Sequence, residues 1–184
     1  MSSPNQHNFA KPTSITGGCL CGSIRYKVDF PKDHNFLRNS ESCQCTQCRR
    51  CTGALIWHCH TIPVKSLTYT TPTTTLKDFH ATEEIKRGFC TNCGSFLYFW
   101  EEGDDKIFIS VGCVDPEYLV GEPGKHDGGY GYALASTSGD NVFCENEIPG
   151  VTAGWIGKTG KRWAKNVRDG VRAAIPGTRH DSKL

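Results

Sequence analysis

Apolar and polar residues alternate along this chain in short runs broken by turn-forming residues, the period-two signature of half-buried strands. In residues 23–28, Ile24, Tyr26 and Val28 share one face. A more continuous apolar run at 54–59 (Ala-Leu-Ile-Trp-His-Cys) suits a buried strand, and 67–70 a shorter one. Residues 84–89 lead into Cys90 and 95–100 lead away from Cys93, which predicts a hairpin with a cysteine pair at its tip. The acidic turn 101–105 precedes another strand at 106–111. Asp115 before Pro116 marks a helical start with Asp115 as N-cap. From 121 to 160 glycine is frequent and the period fades, leaving one candidate strand at 130–134. Helical spacing appears at 161–174, where Trp163, Val167 and Val171 recur every four residues; Gly170 weakens this helix and Pro176-Gly177 ends it.

These elements predict a mainly β fold of short antiparallel sheets with a C-terminal helix. Twenty glycines and nine prolines supply the turns, and an apolar content of 37% in 184 residues supports one core. Residues 15–175 are therefore expected to form a single zinc-binding domain, between a loose lead-in at 1–14 and a tail at 176–184. No apolar run approaches the roughly 20 residues that cross a bilayer, and the N-terminus lacks the layout of a secretory signal. In that setting the short-spaced groups that hold eight of the eleven cysteines read as reduced metal ligands rather than disulfides.

The cysteines fall into three groups. Cys19-Leu20-Cys21-Gly22 and Cys90-Thr91-Asn92-Cys93-Gly94 are each a pair followed by glycine, the form of a metal knuckle. Cys19, Cys21, Cys90 and Cys93 are the expected ligands of a structural Zn²⁺. The third group places four thiols within nine positions: Cys43, Cys45, Cys48 and Cys51. Cys43, Cys45 and Cys48 suffice for a second zinc whose fourth position stays free, the mark of a catalytic site. Arg49, and Arg50 beside it, would draw a carboxylate-bearing substrate to it. Two alternatives stand beside this open site: Cys51 closes it as a fourth ligand, or Cys45 and Cys48 form a disulfide. His58 and His60 share one strand face, with Cys59 on the other, and are candidate proton shuttles. Cys113 and Cys144 read as inert buried thiols.

Charge is uneven. From Lys158 onward eight Lys/Arg face two Asp/Glu, a net of +6, against −4 for the rest. With few aromatics interleaved, this basic end reads as a solvated helix face, so nucleic acid is not an expected partner. The chain ends in Ser182-Lys183-Leu184, a receptor-read peroxisomal address. The expected location is the peroxisome, through its import receptor, and otherwise the cytoplasm.

The pattern Gly18-Cys19-x-Cys21-Gly22-x-Ile24-x-Tyr26, then Cys43-x-Cys45-x2-Cys48-Arg49, then Phe89-Cys90-x2-Cys93-Gly94-x2-Leu97 resembles the glutathione-dependent formaldehyde-activating enzyme family, which includes centromere protein V. The resemblance covers residues 15–115; residues 116–175 diverge. It implies a β-tent fold, a structural zinc at Cys19, Cys21, Cys90 and Cys93, and a more labile zinc at Cys43, Cys45 and Cys48. It also implies a carbon–sulfur lyase that joins formaldehyde to glutathione. Gln44 stands where the family usually has histidine, and Cys51 is an added thiol. The expected function is a zinc enzyme acting on a small carbonyl compound or its thiol adduct, with glutathione a candidate partner. The alternatives are a non-catalytic zinc-structured binding module and a thiol–disulfide redox protein built on Cys45 and Cys48.

Overall fold

The computed structural model of the chain describes residues 9–122, 129–155 and 160–173. The expected lead-in lies partly outside these residues, and the Pro176-Gly177 terminator and the Ser182-Lys183-Leu184 address lie wholly outside them.

The period-two stretches form strands, as expected. β1 (Ser14–Gly18) and β2 (Arg25–Asp29) pair antiparallel, and β5 (Leu67–Tyr69) completes a three-stranded sheet. A larger sheet contains β3 (Ser40–Cys43), β4 (Trp57–Pro63), β6 (Leu76–His80), β7 (Ile85–Cys90), β8 (Phe96–Glu101), β9 (Lys106–Ser110), β10 (Asp140–Val142) and β11 (Lys161–Arg162). Its order is β11-β10-β3-β4-β9-β8-β7-β6. Neighbours are antiparallel except that β10 runs parallel to both β3 and β11. Helices are short: α1 (Thr46–Thr52), α2 (Pro116–Val120) and α3 (Gly131–Ala135).

Strand alternation gives the larger sheet two unlike faces. One packs Ile62, Leu97, Ile107 and Ile109 with Ile15, Ile24, Tyr26 and Val28 of the smaller sheet into the main core. The other carries a second apolar cluster of Cys43, Cys48, Trp57, Cys59 and Phe96, backed by Phe99 and Phe108. Burying such clusters gains about 25 cal/mol per Å² of apolar surface, and here the second cluster builds the wall of a cavity.

Three expectations change. The run at 54–59 starts its strand only at Trp57, because Gly53 closes α1 with a left-handed φ of 68° and Ala54 and Leu55 stay exposed. The candidate strand at 130–134 is α3, where the Leu134 N–H donates to Tyr130 O (3.0 Å) in a helical turn that buries Ala133 and Leu134. The helix expected at 161–174 does not form in its described part. Lys161–Arg162 is β11, and Asn166 and Asp169 make a capping box around one tight turn, which Gly170 ends at φ 68°. Trp163 then bridges back to Arg172 and is partly buried, whereas Val167 and Val171 are exposed, so the three residues form no common buried face. Asp115 does take the N-cap position of α2, yet its carboxylate accepts from Arg25 and Thr16 and leaves the helix uncapped by side chain.

Candidate metal centres

Two knuckle turns build the first sulfur cluster. After β1, the Gly22 N–H donates to Cys19 O (3.0 Å), and the Ile24 N–H donates to Cys19 Sγ (3.2 Å). At the β7–β8 tip, the Gly94 N–H donates to Cys90 O (2.8 Å). Gly22 and Gly94 have φ of 76° and 75°, a conformation that glycine adopts without steric cost. The turns bring Cys19, Cys21, Cys90 and Cys93 together with all four sulfurs within 4.8 Å of one another. Cys19 and Cys21 are 3.5 Å apart, and Cys21 and Cys90 3.8 Å. A zinc with bonds of about 2.3 Å to a sulfur tetrahedron sets an edge of about 3.8 Å. The donor set and spacing therefore fit the ion, and all eleven cysteines are free of disulfides. Hydrogen bonds from Ser95 lower Cys93 to about 5, and those from Ser23 lower Cys21. Both shifts favour the thiolate form that a metal requires.

The second cluster comes from a helix start rather than a plain loop. Cys43 ends β3, Cys45 is the N-cap of α1, and Cys48 is one turn in. The Cys45 sulfur accepts from the Cys48 N–H (3.3 Å), as a capping side chain does. The three sulfurs lie within 4.8 Å of one another. Hydrogen bonds from Cys43 and Cys48 hold Cys45 far below the ordinary thiol range, while Cys43 and Cys48 are pushed up. A divalent cation held by all three sulfurs would favour the thiolate form in each. Cys51, a turn further along α1, packs against the apolar cluster but is not among the mutually close sulfurs.

The trio lines a cavity of about 690 Å³, within the usual range of small-molecule sites. Trp57, Phe99, Phe108, Val142 and Phe143 give it apolar walls, and Glu41 and Arg87 bring buried polarity. Burial pushes Glu41 up to about 7, against a hydrogen bond from Thr61 Oγ1 (3.0 Å).

Arg49 does not line this cavity. Its Nε donates to Leu55 O (2.9 Å), and its Nη2 donates to Asn146 O (2.7 Å) and Gln44 Oε1 (3.3 Å). Gln44 is fully buried; its Oε1 also accepts from Thr152 Oγ1 (3.0 Å), and its Nε2 donates to Glu147 Oε1 at 3.5 Å. Glu147 in turn pairs with Arg162 at 2.8 Å. Gln44 and Arg49 therefore tie α1 to the later segment 144–162 and hold the trio from behind. The residue missed in the sequence is Arg87, which enters the cavity from β7 through ordinary strand alternation.

His58 and His60 do share a face, but it is the face away from the trio, and Cys59 points toward it. His60 Nδ1 lies 3.2 Å from Leu134 O, so it donates there, and its bare Nε2 accepts from His34 Nε2–H (2.9 Å). Burial lowers His60 to about 3 and also lowers His34. The unfolded chain, near 6.5, binds the extra proton first, so stability falls as pH drops from about 6.5 toward 3, by up to about 1.4 kcal/mol per pH unit from His60. His60→Gln is expected to flatten the acid limb of urea unfolding measured from pH 7 to 4. Metal release in acid is common to both proteins, so identical slopes would show that His60 does not titrate as described.

The model of the glutathione-dependent formaldehyde-activating enzyme family matches residues 14–125. The chain belongs to this family. It is an enzyme family of glutathione-linked formaldehyde chemistry, and the match spans both sulfur clusters. A crystal structure of a Rhodobacter sphaeroides protein is similar at 22% identity, with a TM-score of 0.45, covering 57% of this chain and 94% of that one. No curated protein matches the chain. As in the sequence reading, the fold of this family member is mainly β. Among the described residues no helix is long and apolar enough to cross a membrane.

Proposed function

We propose that the chain is a zinc-dependent enzyme acting on a small carbonyl compound or its thiol adduct, with carbon–sulfur lyase-type addition and elimination at Cys43, Cys45 and Cys48. The observation that carries this is three cysteine sulfurs, with no fourth cysteine completing the set, on the wall of a cavity of about 690 Å³. Zinc bound there would supply Lewis acidity toward a thiolate or a carbonyl oxygen. The chain's residues do the rest. Trp57, Phe99 and Phe108 exclude water around the reacting carbon, and Gln44 and Arg49 fix the helix that presents Cys45 and Cys48. In the joining direction a sulfur–carbon bond forms, the thiol loses its proton and the carbonyl oxygen gains one; elimination reverses each change. Cys19, Cys21, Cys90 and Cys93 hold a structural zinc in this reading.

Elemental analysis with and without a mild chelator tests it. Two zinc equivalents are expected, one of them easily removed, and its removal should stop turnover of S-hydroxymethylglutathione or a related hydroxymethyl thiol. A single, tightly held equivalent would sink the proposal, as would turnover indifferent to the chelator.

A further inference from the structure

The cavity holds an arginine with unspent donors. Arg87 is 4% exposed, and its Nη2 donates to Gln47 Oε1 at 2.6 Å. Its Nε and Nη1 are buried without a hydrogen-bond partner. Those two nitrogens carry three N–H donors. No described carboxylate pairs with the guanidinium, whose nearest aromatic neighbour is the Phe99 ring, 5.2 Å away. A buried cation is costly unless charge or hydrogen bonds answer it, and Arg87 is left with two unanswered nitrogens on the wall of the cavity it lines.

Sheet register explains the direction. Arg87 lies opposite Phe99, Phe99 opposite Phe108, and Phe108 opposite Thr61, which makes one cross-strand row over β7, β8, β9 and β4. Arg87, Phe99 and Phe108 of this row line the cavity. Gln47, which fixes the guanidinium, lies in α1 between Cys45 and Cys48. The cation is thus tied to the helix that carries the sulfurs, on the same cavity wall.

We infer that Arg87 is a substrate-binding residue, and that the cavity takes a compound with an apolar body and one carboxylate, the carboxylate seated on the free Arg87 donors. This deepens the function proposed above and rests on it for the site. A planar guanidinium matches a carboxylate with more than one N–H···O bond. One buried cation balances one negative charge, and Phe99, Phe108 and Trp57 suit an aryl or alkyl body. Lys165 and Glu145 also line the cavity, but both are exposed; Glu41 lines it as well, where its carboxylate accepts from Thr61 Oγ1 and not from Arg87, and burial favours its neutral form.

Phenylacetate and its neutral amide, 2-phenylacetamide, are the probes. Binding to the zinc-loaded full chain is followed by calorimetry and by Trp57 fluorescence. The acid is expected to bind at least tenfold more tightly than the amide, the ratio to fall near one in Arg87→Met, and the preference to survive chelation. Equal affinities in the wild type would overturn the inference. So would a preference kept by Arg87→Met, or one lost on chelation, since the carboxylate would then sit on metal. If Arg87→Met does not fold, arginine Nε–H resonances of the wild type decide: phenylacetate must shift one and slow its exchange while the amide does not. These readouts need no turnover. A failed acid preference therefore removes the Arg87 assignment alone, whereas a failed zinc count removes the proposed function and leaves acid binding measurable.

Discussion

Cys90→Ser is expected to yield a chain without a cooperative fold and one zinc equivalent short. Cys90 is fully buried at the end of β7, and with Cys93 it meets Cys19 and Cys21 from the connection between β1 and β2. One ion held by these four sulfurs would tie the three-stranded sheet to the β7–β8 hairpin of the larger sheet. Structural zinc contributes about 10–16 kcal/mol of apparent binding energy in small zinc-folded peptides. That equals or exceeds the whole stability of an ordinary domain, about 5–15 kcal/mol. Serine offers a poor ligand and leaves three thiolates crowded at one point. Circular dichroism through a thermal scan, with zinc analysis, checks the outcome. A cooperative transition within a few degrees of wild type would mean that this cluster does not hold the fold.

The same four cysteines show what could be read from the chain alone. A cysteine pair followed by glycine is a local signal, because the turn needs a left-handed residue and the two sulfurs need one short step between them. The strands beside Cys90 and Cys93 were legible for a similar local reason, since short runs on either side of a cysteine turn, one of them rich in aromatic residues, read as the two arms of a hairpin. What stayed hidden depends on partners far along the chain. Arg49 is next to Cys48 in sequence and reads as a substrate anchor, but Asn146 and Gln44 occupy its guanidinium. Arg87 carries no motif, and its place is set by strand register against Phe99. The stripe of Trp163, Val167 and Val171 has helical spacing, yet Asn166 and Gly170 close a tight turn inside it before a helix can propagate. Local capping chemistry outweighed an apolar spacing of which only Trp163 is partly buried, while Val167 and Val171 stay exposed.

Cys45→Ser should separate the second cluster from the first. Cys45 is half-buried at the N-cap of α1, where its sulfur accepts the Cys48 N–H. Serine is a favoured N-cap, so its hydroxyl keeps that hydrogen bond and α1 stays in place. The trio, however, loses one of the three sulfurs that would hold the second ion. The expected protein melts within a few degrees of wild type and retains one zinc equivalent. Its turnover of a hydroxymethyl thiol falls by at least about 100-fold, the usual cost of losing one preorganised electrostatic stabiliser. Cys51→Ser is the paired control, because Cys51 shares the helix and the apolar cluster but not the close sulfur set. It should keep both zinc equivalents and full turnover. If Cys51→Ser loses the second ion and Cys45→Ser does not, the helix binds metal through another set of sulfurs, and the open position beside the cavity is lost.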